Sequence, residues 1–283
     1  MSKEKSLESV KKLREITGVG FKDCKAALDE NNGDVEKSIE YLRKRGIAKA
    51  SKKMSRTAAD GLVLIYEKEN MTSALEINSE TDFVAKNIDF INFCKEVSEI
   101  NFKNQGNLEK TKLSIMANKK NVQETLINLI SKIGEKITIR RSKFFDNNGS
   151  NFSYVHNSLE RNVGKVLSVV KIEASKKTDL KEIGPKLAMH VAASAPMAID
   201  KNGIKQTVID KELEIIKEEL KNSGKEKNMI DKISKGKLNK FISDNTLLNQ
   251  IWIMDTKKKV KDILKEEIKI VDFIRFKVGE GID

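Results

Sequence analysis

Gly61-Leu62-Val63-Leu64-Ile65-Tyr66 and Ser73-Ala74-Leu75-Glu76-Ile77-Asn78, joined across Glu69-Asn70, form the stretch on which the reading of the fold turns. Short apolar runs rich in Val, Leu and Ile, broken by a polar turn, predict two strands of a hairpin. They stand in a chain that otherwise reads as helical, with only Pro185 and Pro196 to interrupt it. After the hairpin, Ser79-Glu80-Thr81-Asp82-Phe83-Val84-Ala85-Lys86 predicts a turn into a helix that continues through Phe90, Phe93 and Val97. Val122, Leu126, Leu129, Ile130 and Ile133 recur at helical spacing, and Ile137-Thr138-Ile139-Arg140 alternates like a strand. A second strand–strand–helix passage echoes the first in element order: Phe152-Ser153-Tyr154-Val155-His156, then 163–172, then a helix over 187–195 stopped by Pro196. The expected class is α+β, with two similar core subdomains, one over 55–140 and one over 141–205 closed by 249–283.

On the N-terminal side, residues 1–54 read as a three-helix module with its linker. Leu7, Val10, Leu13 and Ile16 mark the first helix, which Thr17-Gly18-Val19-Gly20 breaks. Asp23 is expected to start the second, carrying Cys24, Ala27 and Leu28 and ending at Asn31-Asn32-Gly33. Asp34 caps the third, with Val35, Ile39 and Leu42 on one face and Gly46 beyond its end. The basic stretch 47–56 follows as a helical linker or hinge. Three short helices bury little, so a binding module is the expected role. On the C-terminal side, residues 206–248 predict an inserted antiparallel helical hairpin turning at Asn222-Ser223-Gly224-Lys225. Its expected seam sets Leu213, Ile216 and Leu220 against Met229, Ile230, Ile233 and Leu238. In the closing strand, Ile274, Phe276 and Val278 share one face.

Composition narrows the function. The 283 residues are 39% hydrophobic and 34% charged, enough for packed cores. No window approaches the roughly 20 apolar residues of a membrane span, and residues 1–8 do not open a signal peptide, so a soluble intracellular protein is expected. Two cysteines, Cys24 and Cys94, make neither a metal cluster nor a disulfide framework, and two histidines, His156 and His190, leave little for metal or multi-histidine chemistry. No cofactor and no metal is expected. His190, in an Ala-rich helix, reads as a packing residue with one satisfied nitrogen. Phosphate-cradling loops, GxSxG and HExxH are absent from the sequence. The net charge of +12 admits nucleic acid, ribosome or acidic protein as partner without choosing among them. Aromatics are only 5% and form no stacking platform, so a basic RNA- or ribosome-associated protein is the second reading.

The Thr81-Asp82-Phe83-Val84 corner has two readings from its residues. In one, Thr81 or Asp82 caps the helix and Phe83 packs inward. In the other, a rigid helix start presents an acid and an aromatic anchor to another protein.

These residues resemble the bacterial elongation factor Ts family. The likeness begins at Leu13-Arg14-Glu15-Ile16-Thr17-Gly18-Val19-Gly20, Asp23-Cys24-Lys25-Ala26-Ala27-Leu28 and Asn32-Gly33-Asp34. It continues at Ala58-Ala59-Asp60-Gly61, Thr81-Asp82-Phe83-Val84-Ala85-Lys86 and Ile133-Gly134-Glu135-Lys136-Ile137. It closes at Met189-His190-Val191-Ala192-Ala193-Ser194 and Phe273-Ile274-Arg275-Phe276-Lys277-Val278-Gly279-Glu280-Gly281. The blocks fall in family order over nearly the whole chain. The resemblance implies a cytoplasmic, non-enzymatic guanine nucleotide exchange factor whose partner is elongation factor Tu and which binds no nucleotide itself. It implies an N-terminal module similar to ubiquitin-associated domains, touching the partner at the turn matched by Gly20, Phe21 and Lys22. The family often has apolar residues at the last two positions, so Lys22 departs from it. Thr81, Asp82, Phe83 and Val84 match the family's wedge beside the partner's Mg²⁺ and phosphate site, and His156 matches a histidine facing another partner domain. The hairpin matches a dimerisation region in position, which implies a homodimer. The family pattern commonly runs on into a further helix, so contacts credited to that helix are not carried over.

Overall fold

The computed structural model describes residues 3–17, 19–175, 178–222 and 227–282. Gly18 of the first expected break and Ser223, Gly224 and Lys225 of the expected hairpin turn lie outside them. The fold is α+β, with three helices at the N-terminus: α1 (Lys3–Thr17), α2 (Phe21–Glu30) and α3 (Val35–Lys53). They enclose a small core of Val10, Leu13, Cys24, Ala27, Leu28 and Leu42. Asp34 caps α3, its Oδ1 accepting the Lys37 N–H at 3.0 Å. Two expectations fail here. The second helix begins at Phe21 with Gly20 as its N-cap residue, so Phe21 and Lys22 lie in its first turn. The third does not stop at Gly46. A Cβ there would meet Ser131 Oγ at 3.2 Å, so the glycine lets α3 pass close to a core helix rather than ending it.

Strands β1 (Asp60–Lys68) and β2 (Met71–Ser79) pair in register from Asp60↔Ser79 to Lys68↔Met71. That leaves Glu69 and Asn70 as a two-residue loop, both at positive φ (53° and 61°), the type I′ geometry that matches strand twist. The expected single helix after them is two. Helix α4 (Asp82–Ala85) lasts one turn, and α5 (Ile88–Lys103) restarts because Asn87 Oδ1 accepts the Asp89 and Phe90 N–H groups. Helices α6 (Leu108–Leu113) and α7 (Val122–Ile133) lead to β3 (Ile137–Phe145), which runs on past residue 140. Then come β4 (Ser150–His156), β5 (Val163–Gly164), β6 (Val166–Glu173) and α8 (Ile183–Ser194). The expected strand over 163–172 is therefore split at Lys165. Its first two residues join the sheet β3-β2-β1-β5, while the rest forms the centre of a second sheet, between β4 and the closing strand. That second sheet is completed by the closing strand, described below.

Helices α9 (Gln206–Asn222) and α10 (Lys227–Asn245) leave and rejoin the core at one point, where Met197 N–H donates to Asn245 and Leu247 N–H to Ala198. Ile216 and Leu220 pack against Ile230, Ile233 and Leu238, whereas Met229 is 54% exposed and lies outside the seam. After α11 (Val260–Ile263), β7 (Lys269–Lys277) ends the second sheet.

Both faces of β1 are covered, which is why it reads as a continuous apolar run rather than an alternation. Leu62 and Leu64 pack toward α5 and α7 with Phe90, Val97 and Leu126. Val63 and Ile65 meet Leu167, Val169 and Phe276 of the second sheet. Val170 and Ile172 pack toward α8 and Trp252. The layers thus run helix, sheet, sheet, helix. Between the sheets lies a fully buried carboxylate, Glu76. It accepts from Arg140 Nη1 (3.0 Å), Asn78 Nδ2 (2.9 Å), the Gly279 N–H (2.9 Å) and Arg141 Nε. Successive strand residues normally face opposite ways, but β3 has a bulge opposite Glu76/Ile77, so two consecutive arginines reach one carboxylate. Gly279 is obligatory at its place: φ is +74° and a Cβ would lie 1.9 Å from the Ala59 carbonyl oxygen.

Candidate functional site

The α4 corner is built from backbone outward. Thr81 occupies the N-cap position in extended conformation, yet its side chain does not cap the helix. Instead Thr81 N–H donates to Glu135 Oε2 at 3.0 Å and Thr81 Oγ1 donates to Glu135 Oε1 at 2.8 Å. Ser79 Oγ donates to the Thr81 carbonyl at 3.0 Å. Glu80 reciprocates, its Oε1 accepting the Lys136 N–H at 2.6 Å. Two carboxylates, one from each turn, therefore tie 79–81 to 134–136. Val84 and Ala85 are buried and anchor the helix from below.

Phe83, between these anchors, is 79% exposed. Of the two local readings, the inward-packed phenylalanine is excluded. A fully buried aromatic is worth roughly 1.5–3 kcal/mol, a gain that Phe83 forgoes within this chain. Ile88, 62% exposed, lies one short turn further along the chain. Asp82 is not a lone anion. Lys86 Nζ lies 2.7 Å from its Oδ2, and that hydrogen bond holds the Asp82 carboxyl below its usual range while raising Lys86. Lys165, bonded to Asp60 and to the Gly61 carbonyl, adds positive potential to Asp82 from the point where the chain crosses between sheets.

The other expected contact residues lie elsewhere. Gly20, Phe21 and Lys22 are exposed at the start of α2, Phe21 by 43%. His156 is exposed at the end of β4, its Nδ1 3.1 Å from the Tyr154 hydroxyl. Among the described residues no hydrogen bond or ion pair joins these groups to the corner. The sequence assigns Glu80 and Glu135 no role, because Thr81 and Glu135, 54 positions apart, share no local spacing.

No group of three or more His, Cys, Asp or Glu among the described residues is placed to hold a metal. Burial raises both thiols, Cys94 well above its usual range, so neither presents a ready thiolate. His190 is buried and stacked on Trp252 at 5.2 Å, with Nε2 3.1 Å from Gln250 Oε1.

The sequence model of the family described as "Elongation factor TS" matches residues 80–280, which begins at the corner and ends just past the Glu76 clasp. The chain belongs to the elongation factor Ts family. Elongation factor Ts of Methylorubrum extorquens strain PA1 is 40% identical over 284 residues, covering 97% of this chain and 92% of that relative. That of Clostridium kluyveri strain ATCC 8527 is 40% identical over 291 residues, covering 98% and 93%. That of Bartonella tribocorum is 38% identical, covering 97% and 92%. The elongation factor Ts likeness thus spans all layers and the hairpin, and no helix of the described residues is long and apolar enough to cross a membrane.

Proposed function

We propose that this chain is the guanine nucleotide exchange factor of elongation factor Tu, acting without covalent chemistry and without a nucleotide site of its own. Family membership supplies the class, and the exposed Phe83 on its hydrogen-bonded mount is the single observation that carries the mechanism. Thr81, Asp82, Phe83 and Val84 form the wedge that enters the partner beside its Mg²⁺ and phosphate groups. A partner that weakens GDP binding is weakened by GDP to the same extent, since coupling is reciprocal. The factor therefore stabilises the nucleotide-free intermediate, admits GTP and leaves.

Phe83 supplies shape. Asp82 enters as half of an exposed i,i+4 ion pair, which contributes little in water and yields readily to a competing group. Its negative charge thus becomes felt when Lys86 is drawn to an acid of the partner. Gly20, Phe21 and Lys22 form a second contact and His156 a third. The α9–α10 hairpin, with Ile215 and Met229 exposed, serves self-association.

The test is release of labelled GDP from elongation factor Tu. Wild-type chain accelerates release, and Phe83→Ala slows it at least tenfold while the unfolding midpoint stays within 2 °C or so, because the removed ring is exposed. Wild-type acceleration by Phe83→Ala sinks the wedge. Salt-steep RNA binding with no effect on GDP release replaces the whole reading by the basic RNA- or ribosome-associated alternative.

A further inference from the structure

We propose that Glu135, with Glu80 as its counterpart, is a positioning residue for exchange: a pair of crossed carboxylates that fixes the Phe83 corner before the partner arrives. This rests on the wedge reading above. Helix α4 is four residues long, and an isolated turn of that length has no stability of its own. Something outside it must hold its start. The geometry assigns that task to Glu135, whose two oxygens take the Thr81 N–H and the Thr81 hydroxyl at 3.0 and 2.8 Å. The threonine side chain makes no cap bond and is turned toward this carboxylate instead.

Glu80 runs the opposite way. It accepts the Lys136 N–H at 2.6 Å, from the residue next to Glu135, and faces Arg56 at 3.3 Å. Lys136 Nζ in turn donates to the Arg56 carbonyl at 2.7 Å, and Lys53 Nζ donates to the Gly134 carbonyl. Gly134 itself stands in the left-handed region at φ +91°, closing α7 so that residue 135 emerges toward Thr81. The wedge is thus bolted to the α7–β3 turn, and that same turn is gripped by Lys53 at the end of α3 and Arg56 just beyond it. Glu135 spends its acceptors on the Thr81 N–H and hydroxyl, and Glu80 on the Lys136 N–H and the Arg56 guanidinium. Shape, then, is what they secure, since these bonds are ties between the two turns.

A fixed corner has a specific kinetic consequence. A side chain already in place loses no freedom when it enters the partner, so the benefit falls on the step in which the wedge displaces groups around the nucleotide. Remaining contacts, at α2 and His156, still bring the two proteins together. Loosening the mount therefore lowers the maximal release rate more than it raises the factor concentration needed for half of it.

The experiment uses the full chain with Glu135→Met, which keeps the side-chain length and removes both carboxylate acceptors. Labelled-GDP release from elongation factor Tu is followed over a concentration series of factor, alongside thermal unfolding and amide hydrogen exchange at 81–85. The expected result is a five- to tenfold fall in maximal rate, less than a twofold change in half-saturating concentration, and faster exchange of the Thr81 amide. Thr81→Val is the second variant, and combined with Glu135→Met it adds no further loss, since the hydroxyl it removes has already lost its acceptor. A wild-type maximal rate in both single variants, with Thr81 exchange accelerated and Phe83→Ala impaired, overturns the positioning role and leaves the wedge standing. A loss confined to half-saturating concentration, or a lowered unfolding midpoint that accounts for the lost rate, overturns it as well. Unimpaired Phe83→Ala defeats the wedge reading and this one with it.

Discussion

Phe83, beside the first sheet, and Trp252, behind the second, are large aromatics put to opposite uses. Trp252 is 4% exposed, stacked on His190 and enclosed by Val170, Leu187 and Leu247. Phe83 is 79% exposed, and the bonds around it hold its backbone while the ring touches water. The second half closes over its aromatic ring, and the first half builds a bracket and leaves the ring outside. Folding favours the former, and the latter is the surface that the wedge proposal assigns to the partner.

The comparison breaks hardest at Trp252. Trp252→Ala is expected to lower stability by about 3–5 kcal/mol, the usual cost of emptying a large aromatic site. Denaturant unfolding measures it, and the remaining folded protein should still promote GDP release from elongation factor Tu at the wild-type maximal rate. Phe83→Ala should do the reverse, and that crossed pattern is the sharpest form of the contrast. An equal stability loss in both variants would mean that Phe83 packs in solution.

Next in size is Glu76→Ala. It leaves Arg140 and Arg141 without their shared carboxylate between the sheets and frees the Gly279 N–H, a loss of roughly 3 kcal/mol. The two guanidinium groups also donate to the Glu280 and Lys277 carbonyls, so the end of β7 should loosen first, which amide exchange at 276–280 reads. Acid should weaken the same clasp. Burial pushes the Glu76 carboxyl up, but the Gly279 N–H, Asn78 and Arg141 outweigh it and pull it below the normal value. A carboxyl depressed in the folded state adds stability above its unfolded value, about 4.3, and that contribution fades as pH falls through the lower folded value.

How much of this was legible follows from what each feature depends on. The hairpin across Glu69-Asn70, the Asp34 cap and the closing strand are local, and local patterns announced them. The family itself was legible in ordered blocks. Three things were not. The split at Lys165 depends on which sheet each half of one apolar run can reach, and a run buried on both faces carries no such information. The break at Asn87 was written in the sequence as an N-cap, but the apolar spacing across 83–97 masked it. The mount of the candidate site was the most hidden part. Thr81 looked like a cap because threonine often is one, and only a carboxylate 54 positions away redirects its hydroxyl. Gly46 misled for a similar reason, since a glycine near an expected helix end also serves where two helices approach closely.

His190 gives the smallest and most specific test of the closed half. Gln250 donates through Nε2 to the Ser194 and Asp244 carbonyls, so its oxygen must face the histidine as acceptor. His190 Nε2 therefore carries the proton in the neutral ring, and a second proton would sit on Nδ1, buried with no partner. Burial lowers the His190 value, and the Gln250 bond offsets this only in part. Above about pH 6.5 neither the folded nor the unfolded chain protonates this ring, and its contribution to stability is complete. As pH drops below that, the unfolded chain takes up the proton first and stability falls. His190→Gln preserves an N–H toward Gln250 and does not titrate, so the slope of stability against pH just below 6.5 should flatten in the variant. An unchanged slope would place the titrating group elsewhere.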